Sequence, residues 1–400
     1  MSTNRLKPIE QFKLGCSDTK PMICSRCIYD ESIGDISFDE DGVCNYCHQV
    51  DSMMSFYGTG TDKGIQELGR IIKNIKRKGC SRQYNCVIGV SGGTDSSYLL
   101  LKAVDWGLRP LAVHYDNTWN NACATQNIHK VTKTLDVDLI TYVVDNKEAD
   151  DIYRATFFAG IPEWDASTDI AFVQVLRSTA ARFGIKHILE GHSFQAEGIS
   201  PVSNNYFDGK YVASVHKRFG RLPMKTFPNL TIFRFLKWAL LYRQQFIRPF
   251  WYVQYSKQDA REELQRRTGW QYYGGHHLEN RIPVFGHTVY LPQKFGLDYR
   301  FLSLAASVRS GLLPRSDALA EYRSPVKADP DIVEFVKKRL KISDEEYEQV
   351  MRAPPKSWRD YPTYKPYFER LRPLFFILAK ANLVPMSFYL KYCFPLKNPG

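Results

Sequence analysis

Three clusters in this 400-residue chain combine residue types suited to chemistry. The first is Val90-Ser91-Gly92-Gly93-Thr94-Asp95-Ser96-Ser97, set between a strand-like run and a helix-like run. A helix N-terminus offers unpaired N–H groups and a positive dipole end. Gly92 and Gly93 let the backbone approach a phosphate, and Ser91, Thr94, Ser96 and Ser97 add hydroxyl donors. The pattern G-x-x-x-x-G-K-[ST] is absent, so this is not a Walker A loop. A plain glycine turn with Ser/Asp capping is the bland alternative. The complete S-G-G-x-D-S between strand and helix favours an anion site.

The second cluster is Cys24-x-x-Cys27 and Cys44-x-x-Cys47, two pairs separated by sixteen residues. Each pair can present two thiolates from a tight turn, and two such turns make a closed tetrahedral site. A closed site has no open position for substrate, so its role is structural. Zinc is the expected ion, with an iron–sulfur cluster as the alternative, because spacing does not identify the metal. The third cluster lies in 269–300, where His276, His277, Glu279, Asn280 and Arg281 fall within six positions. The H-x-x-x-H helix spacing of a metal site is missing there. The segment reads as a substrate and phosphate site, with Lys294 and Arg300 as cations for developing phosphate charge. A hydrogen-bonded loop at a domain interface is its bland reading.

An alternating chain must position these residues. Apolar spacing predicts a helix over 65–78. Strands follow at 85–90, 110–115, 138–144 and 186–192, with helices at 96–105, 121–135 and 168–183. That order predicts an α/β fold, a doubly wound parallel sheet with helices on both faces. Ligands of such sheets sit beyond the carboxyl ends of the strands, where the strand order reverses. The expected division is a metal-binding unit over 1–60, the sheet core over 61–215, a basic aromatic and substrate region over 216–330, and a helical tail over 331–400.

A net charge of +12 and a pI near 9.1 imply an anionic partner such as a nucleotide, nucleic acid or acidic membrane. The charge is uneven: 216–258 holds nine Lys or Arg and no acid, and 365–400 holds six against one Glu, both amid aromatics. Nine cysteines, four of them paired as C-x-x-C, suit a reducing compartment rather than a disulfide framework. Neither a signal peptide nor a spanning helix is expected. The expected location is the cytoplasm, with room for contact at a membrane face.

The S-G-G-x-D-S loop resembles the PP-loop of the ATP pyrophosphatases, of the adenine nucleotide α-hydrolase-like fold. The resemblance implies that Val90 to Ser97 hold pyrophosphate departing from ATP and that Asp95 helps hold Mg²⁺. It also implies that Tyr115, Asp116, Gly191 and His192 border the nucleotide. Four features in one order narrow it further: the Cys₄ unit, the PP-loop, "GWQYYGGHHLENR" and "LPQKFGLDYR". Together they resemble the N-acetyl sugar amidotransferase family of bacterial surface-polysaccharide and flagellar-glycan pathways, from about residue 22 to 395. Thr94 stands where that family commonly has lysine, and "PEWDAST" lacks a cysteine often found there.

The resemblance implies that a sugar's acetamido oxygen attacks the α-phosphate of ATP and that ammonia then displaces AMP, leaving an acetamidino group. Asp95, Lys294, Arg300, His276 and His277 are the expected catalytic residues, and Glu197, Glu279, Asn280 and Arg281 the substrate residues. Ser2 stands where an N-terminal glutaminase would need cysteine, so ammonia is expected from a separate glutaminase resembling that of imidazole glycerol phosphate synthase, with its cyclase-like companion. The substrate is a nucleotide sugar, and no nucleic acid is expected. The competing readings are a PP-loop tRNA thiolase, which shares the metal cysteines and basic surface, and a non-catalytic scaffold docking through the metal unit.

Overall fold

The computed structural model describes residues 21–199, 206–274, 279–381, 384, 388–389 and 392–394. Five short strands form one sheet: β1 (Cys86–Gly89), β2 (Pro110–Asp116), β3 (Leu139–Val143), β4 (His187–Leu189) and β5 (Gln245–Ile247). All pairs are parallel, in the order β3-β2-β1-β4-β5. Parallel neighbours need crossover connections, and helices supply them. α1 (Asn45–Tyr57) and α2 (Asp62–Lys78) precede the sheet, and α3 (Thr94–Asp105), α4 (Ala122–Thr134), α5 (Asn146–Ala159), α6 (Ala166–Arg182) and α7 (Gly209–Phe219) run between its strands. Then come α8 (Ile232–Leu236), α9 (Lys257–Thr268), α10 (Arg281–Phe285), α11 (Arg300–Arg309), α12 (Arg315–Arg323), α13 (Ile332–Leu340), α14 (Asp344–Arg352), α15 (Lys365–Arg370) and α16 (Arg372–Lys380).

The apolar runs make the sheet because both of its faces are covered. Alternation divides each strand between two cores. Ile88, Ala112 and Leu189 pack with α3, α4 and α9 through Leu99, Ile128 and Leu264. Val87, Leu111, Val113 and Ile188 pack with α6 through Ala171, Val175 and Leu176. This is the doubly wound parallel sheet expected from the sequence, and its first four strands fall where the alternation placed them. β5 and α5 were not anticipated. β5 is Gln-Phe-Ile, only partly buried and set inside the basic aromatic stretch, so no apolar run marks it. α5 is buried on most of its circumference, with Glu148, Asp151 and Arg154 buried beside its apolar residues, so residue type does not mark its inner face.

A further core joins Trp119, Tyr153, Phe157 and Trp164 to α10, the π-helix Gly286–Phe295, α13 and α14. The cysteine unit packs on α11 and α12 through Phe301, Leu304, Ala305 and Ala318. α8, the π-helical turn Lys237–Leu241 that follows it and the α15–α16 pair share a further cluster through Phe235, Ala239, Phe368 and Phe375. Elements far apart in sequence thus close around the ends of the sheet.

Candidate active site

The chain steps from β1 outward to β2 and β3, then returns to the other side of β1 as β4. The loops leaving β1 and β4 therefore flank the switch point. Gly92 leaves β1 with φ +82°, and a Cβ there would lie 2.2 Å from the Ala124 carbonyl oxygen. Any side chain would both strain this backbone and clash. Ser96 Oγ lies 3.2 Å from Ser91 N and from Ser91 Oγ, closing the loop on itself. From outside, Trp270 Nε1 donates to the Gly92 carbonyl at 2.9 Å. Asn127 clamps Gln271, with Nδ2 donating to its carbonyl at 2.7 Å and Oδ1 accepting from its N–H at 2.9 Å. No side chain caps α3, so its first-turn N–H groups remain for a ligand or water.

Asp95 lies in that first turn. The Tyr255 hydroxyl donates to Oδ1, and Lys257 Nζ stands 3.1 Å from Oδ2. Lys257 is also 3.5 Å from Glu197 Oε1, so two carboxylates share one ammonium. Burial pushes the Asp95 carboxyl up, but Lys257 and Tyr255 outweigh it and hold it below the usual range. Burial opposes the Lys257 charge, yet Asp95 and Glu197 keep its pKa above normal. Asp95 is thus an ionised group in a part-buried network, not a residue on an exposed loop. The β4 loop completes the wall. A Cβ on Gly191 would lie 2.7 Å from the Asp95 carbonyl oxygen. His192 Nε2 is 3.9 Å from Glu197, and its Nδ1 accepts from Trp251 Nε1 at 3.2 Å. Burial, with help from Arg248, pushes His192 down to about 4, so it is neutral near pH 7.

The third sequence cluster reaches the same place. Tyr273 donates its hydroxyl to Glu279 at 3.1 Å, and a Cβ on Gly93 would lie 3.1 Å from that hydroxyl and 3.8 Å from Glu279 Oε1. Asn280 is buried and ties this segment to the loop after β2, donating to Asn117 Oδ1 at 2.7 Å and Asn120 Oδ1 at 2.8 Å. Its own Oδ1 caps α10 by accepting from Ile282 N. Arg281 N donates to the Trp119 carbonyl at 2.9 Å, while its guanidinium lies over Phe335. Tyr115 is buried against Tyr142, and Asp116 accepts from Thr118 N at 2.7 Å.

The structure does not bring Lys294 and Arg300 to the loop in the way their sequence suggested. Lys294 Nζ donates to the Val350 and Ala353 carbonyls at 2.6 and 2.7 Å, closing the end of α14. Arg300 is held by Asp298 at 2.7 Å and by the Tyr322 and Ser324 carbonyls. His276 and His277 lie outside the described residues. Sequence reasoning missed Tyr255, Lys257 and Arg261. All three come from around the start of α9, where Ser256 caps the helix; Tyr255 and Lys257 stand in a lone "YSKQD" run, and Arg261 lies two residues beyond it.

The cysteine pairs do converge. Cys24, Cys27, Cys44 and Cys47 are fully buried, with all four sulfurs within 4.8 Å of one another. Three of the separations are 3.6, 3.7 and 3.8 Å. A tetrahedral ion with metal–sulfur bonds of about 2.3 Å spaces its ligands by about 3.8 Å, so the donor set fits one such ion. A cubane cluster interposes its own iron and sulfide between the thiolates and needs a wider set. Four thiolates around a divalent ion leave excess negative charge. Buried Arg309 answers it from α11, with Nε 3.3 Å from Cys47 Sγ and a terminal nitrogen 3.2 Å from Cys27 Sγ. Arg315 donates to the Cys24 and Cys27 carbonyls, both at 2.8 Å.

Fold and site together define a parallel α/β chain with an anion-type glycine loop at its switch point and a four-cysteine centre. Residues 279–374 match the family model described as LPS biosynthesis protein WbpG-like, C-terminal domain. A curated relative, uncharacterized protein MJ1599 of Methanocaldococcus jannaschii, is 28% identical over 173 residues, covering 43% of this chain and 59% of that protein. The chain thus spans less than two thirds of the relative it matches. Among solved structures, the chain is similar to NMN synthetase from Francisella tularensis, with 13% identity, TM-score 0.32, and 70% of this chain and 95% of that one covered. It is similar to NH₃-dependent NAD synthetase from Campylobacter jejuni at 12%, TM-score 0.29, covering 73% and 97%. It is also similar to the U34-tRNA thiolase NcsA from Methanococcus maripaludis with its [4Fe-4S] cluster, at 12%, TM-score 0.32, covering 82% and 90%. Likeness at these scores adds nothing to what the sheet and loop show by themselves.

Proposed function

We propose that this chain is an ATP-dependent N-acetyl sugar amidotransferase of surface-polysaccharide synthesis, acting on a nucleotide sugar. One junction carries the reading. Glu279, where the match to a lipopolysaccharide-biosynthesis domain begins, lies against Gly93 of the S-G-G-T-D-S loop. A segment of polysaccharide type and a loop of nucleotide type meet at this one point.

The sugar's amide oxygen attacks the α-phosphorus of ATP, and pyrophosphate leaves. Ammonia adds to the resulting imidate carbon, and AMP departs with the former amide oxygen as protons are released. An amide is a poor electrophile, so activating its oxygen must precede attack by ammonia. Positioning and charge stabilisation dominate such a step. The N–H groups of the first turn of α3 and the hydroxyls of Ser91, Thr94, Ser96 and Ser97 take the departing pyrophosphate. Asp95 and Glu197 fit Mg²⁺, because both carboxylates already converge on one cationic nitrogen. Mg²⁺ supplies neutralisation of phosphate charge. Asn280 fixes the substrate segment against the β2 loop. The Cys₄ centre holds zinc and is structural.

Ammonia comes from a separate glutaminase with its cyclase-like companion, and the protein works in the cytoplasm at a membrane face. The purified chain should release AMP with ammonium and an N-acetylated nucleotide sugar, with amide oxygen replaced by NH in the product's mass. Turnover with ammonium should rise with pH, since free ammonia is the nucleophile. Sustained turnover with glutamine alone, ammonium excluded, would overturn the partner assignment. A tRNA thiolase reading would need a cysteine relay. Among the described residues Cys393 is fully buried and Cys123 stands singly near Gln271. Release of AMP with tRNA and no nucleotide sugar would revive that reading.

A further inference from the structure

Helix α9 turns two cations, four residues apart, toward the glycine loop. Lys257 is neutralised by Asp95 and Glu197. Arg261 is different. Its Nε lies 3.4 Å from Thr94 Oγ1, the hydroxyl of the first residue of α3. Its guanidinium lies over the Tyr272 ring at 4.1 Å. Among the described residues no carboxylate stands within ion-pair distance of it. Farther along the same helix Arg267 pairs with Asp105 at 2.7 Å and Glu263 at 3.0 Å. Glu263 also takes Lys102 at 2.8 Å. Of the two cations that α9 brings to the loop, Lys257 is thus neutralised and Arg261 is not.

A guanidinium held on a ring face has both geometry and charge to offer. Its planar fork matches two phosphate oxygens at once, and the ring fixes the plane at low entropic cost. Tyr272 is itself half exposed, so the pair is open to solvent and not part of a core. Tyr273, the next residue, reaches Gly93, so the segment that carries this platform is the one that touches the loop.

We propose that Arg261, on its Tyr272 platform, binds the terminal phosphates of the nucleotide and stabilises pyrophosphate as it leaves. This rests on the ATP reading of the loop and assigns that site a cation outside the glycine motif. The interaction strengthens as the leaving group gains charge, which is the property that lowers a barrier. Arg261 donates no proton and forms no bond to the sugar.

The test compares Mg·ATP, pyrophosphate and AMP binding to the full chain by calorimetry. Arg261→Gln should weaken ATP and pyrophosphate binding by about tenfold or more, the size of one charge-assisted contact, and leave AMP unchanged. Arg261→Lys should recover part of the loss, since a point charge replaces a fork. Thr94→Lys combined with Arg261→Gln should also recover pyrophosphate binding, because it returns a cation to the same spot. If the wild type binds neither ATP nor pyrophosphate, the ATP reading itself falls. If it binds both and Arg261→Gln binds them equally well, the inference falls and the reading stands. An equal loss of AMP affinity, or a loss that neither cationic variant recovers, would make Arg261 a structural residue and overturn the proposal.

Discussion

At the scale of single residues, the part of the site that sits in one stretch of sequence is the part that could be read there. Ser91 to Ser97 are contiguous, and both the tight turn and the helix start follow from their types. Lys257 could not be found that way. Its role exists only because α9 crosses α3 and brings an ammonium to Asp95 and Glu197. Lys294 and Arg300 show the opposite failure. They read as free cations in a polar segment, but folding commits them to carbonyls and to Asp298. Asp95 is the sharpest test. Asp95→Asn keeps the size and the acceptor for Tyr255 but removes the charge that Lys257 pairs with and that the proposed Mg²⁺ would need. Turnover should fall about 100-fold or more, the usual cost of deleting one charge-stabilising group. The fold should persist, because Glu197 still pairs with Lys257. AMP and pyrophosphate release by the purified variant measures it, and near wild-type turnover would remove Asp95 from the mechanism.

At the scale of elements, the strands of the sheet core announced themselves because burial on both faces demands unbroken apolar runs. β5 did not, because its Gln-Phe-Ile is only partly buried and is set in a basic aromatic stretch edged by Arg248. The C-x-x-C pairs were equally legible, since each turn must carry its own two ligands. Their electrostatic partner was not. Arg309 ends α11, far along the chain, and is recognisable only once the two units pack. Cys24→Ser should lose the metal and, with it, the order of the unit. Structural zinc contributes about 10–16 kcal/mol of binding free energy that a small core cannot replace. Arg309→Leu should keep the four ligands yet destabilise the unit by about 3–5 kcal/mol, because an anionic centre is left buried without its counter-charge. Metal content by elemental analysis and thermal melting separate the two variants. A full metal complement in Cys24→Ser, or an unshifted melt in Arg309→Leu, would sink the corresponding claim.

At the scale of the whole molecule, the one-sided charge of the sequence meets an apolar surface that the sequence alone did not separate from core. Many aromatics of the basic stretch are buried. Yet of the sixteen exposed large hydrophobics among the described residues, nine lie in two short segments, 233–242 and 367–377. Phe233 and Leu241 are 80% and 76% exposed, and Ile377 is 63% exposed. The helices that carry them share one buried cluster, which brings the two segments together. Arg234, Lys237, Arg243, Arg370, Arg372 and Lys380 accompany them, with Glu369 as the sole acid across 232–243 and 367–380. No helix among the described residues is long and apolar enough to cross a membrane. Apolar side chains beside cations suit a membrane surface instead, where inserted area contributes about 25 cal/mol per Å² and each cation near anionic lipid about 1 kcal/mol. Vesicles rich in anionic phospholipid should therefore retain the protein, and neutral vesicles should retain it less. Raising salt shortens the Debye length from about 10 Å at 0.1 M to about 3 Å at 1 M, so the charge-driven share should fall steeply while insertion persists. Leu241→Glu with Ile377→Glu should abolish the remainder and leave pyrophosphate binding unchanged, because neither residue touches the glycine loop. Co-sedimentation across a salt series reads both effects. Retention that ignores lipid charge, or survives the double variant, would show that these segments face something other than a bilayer.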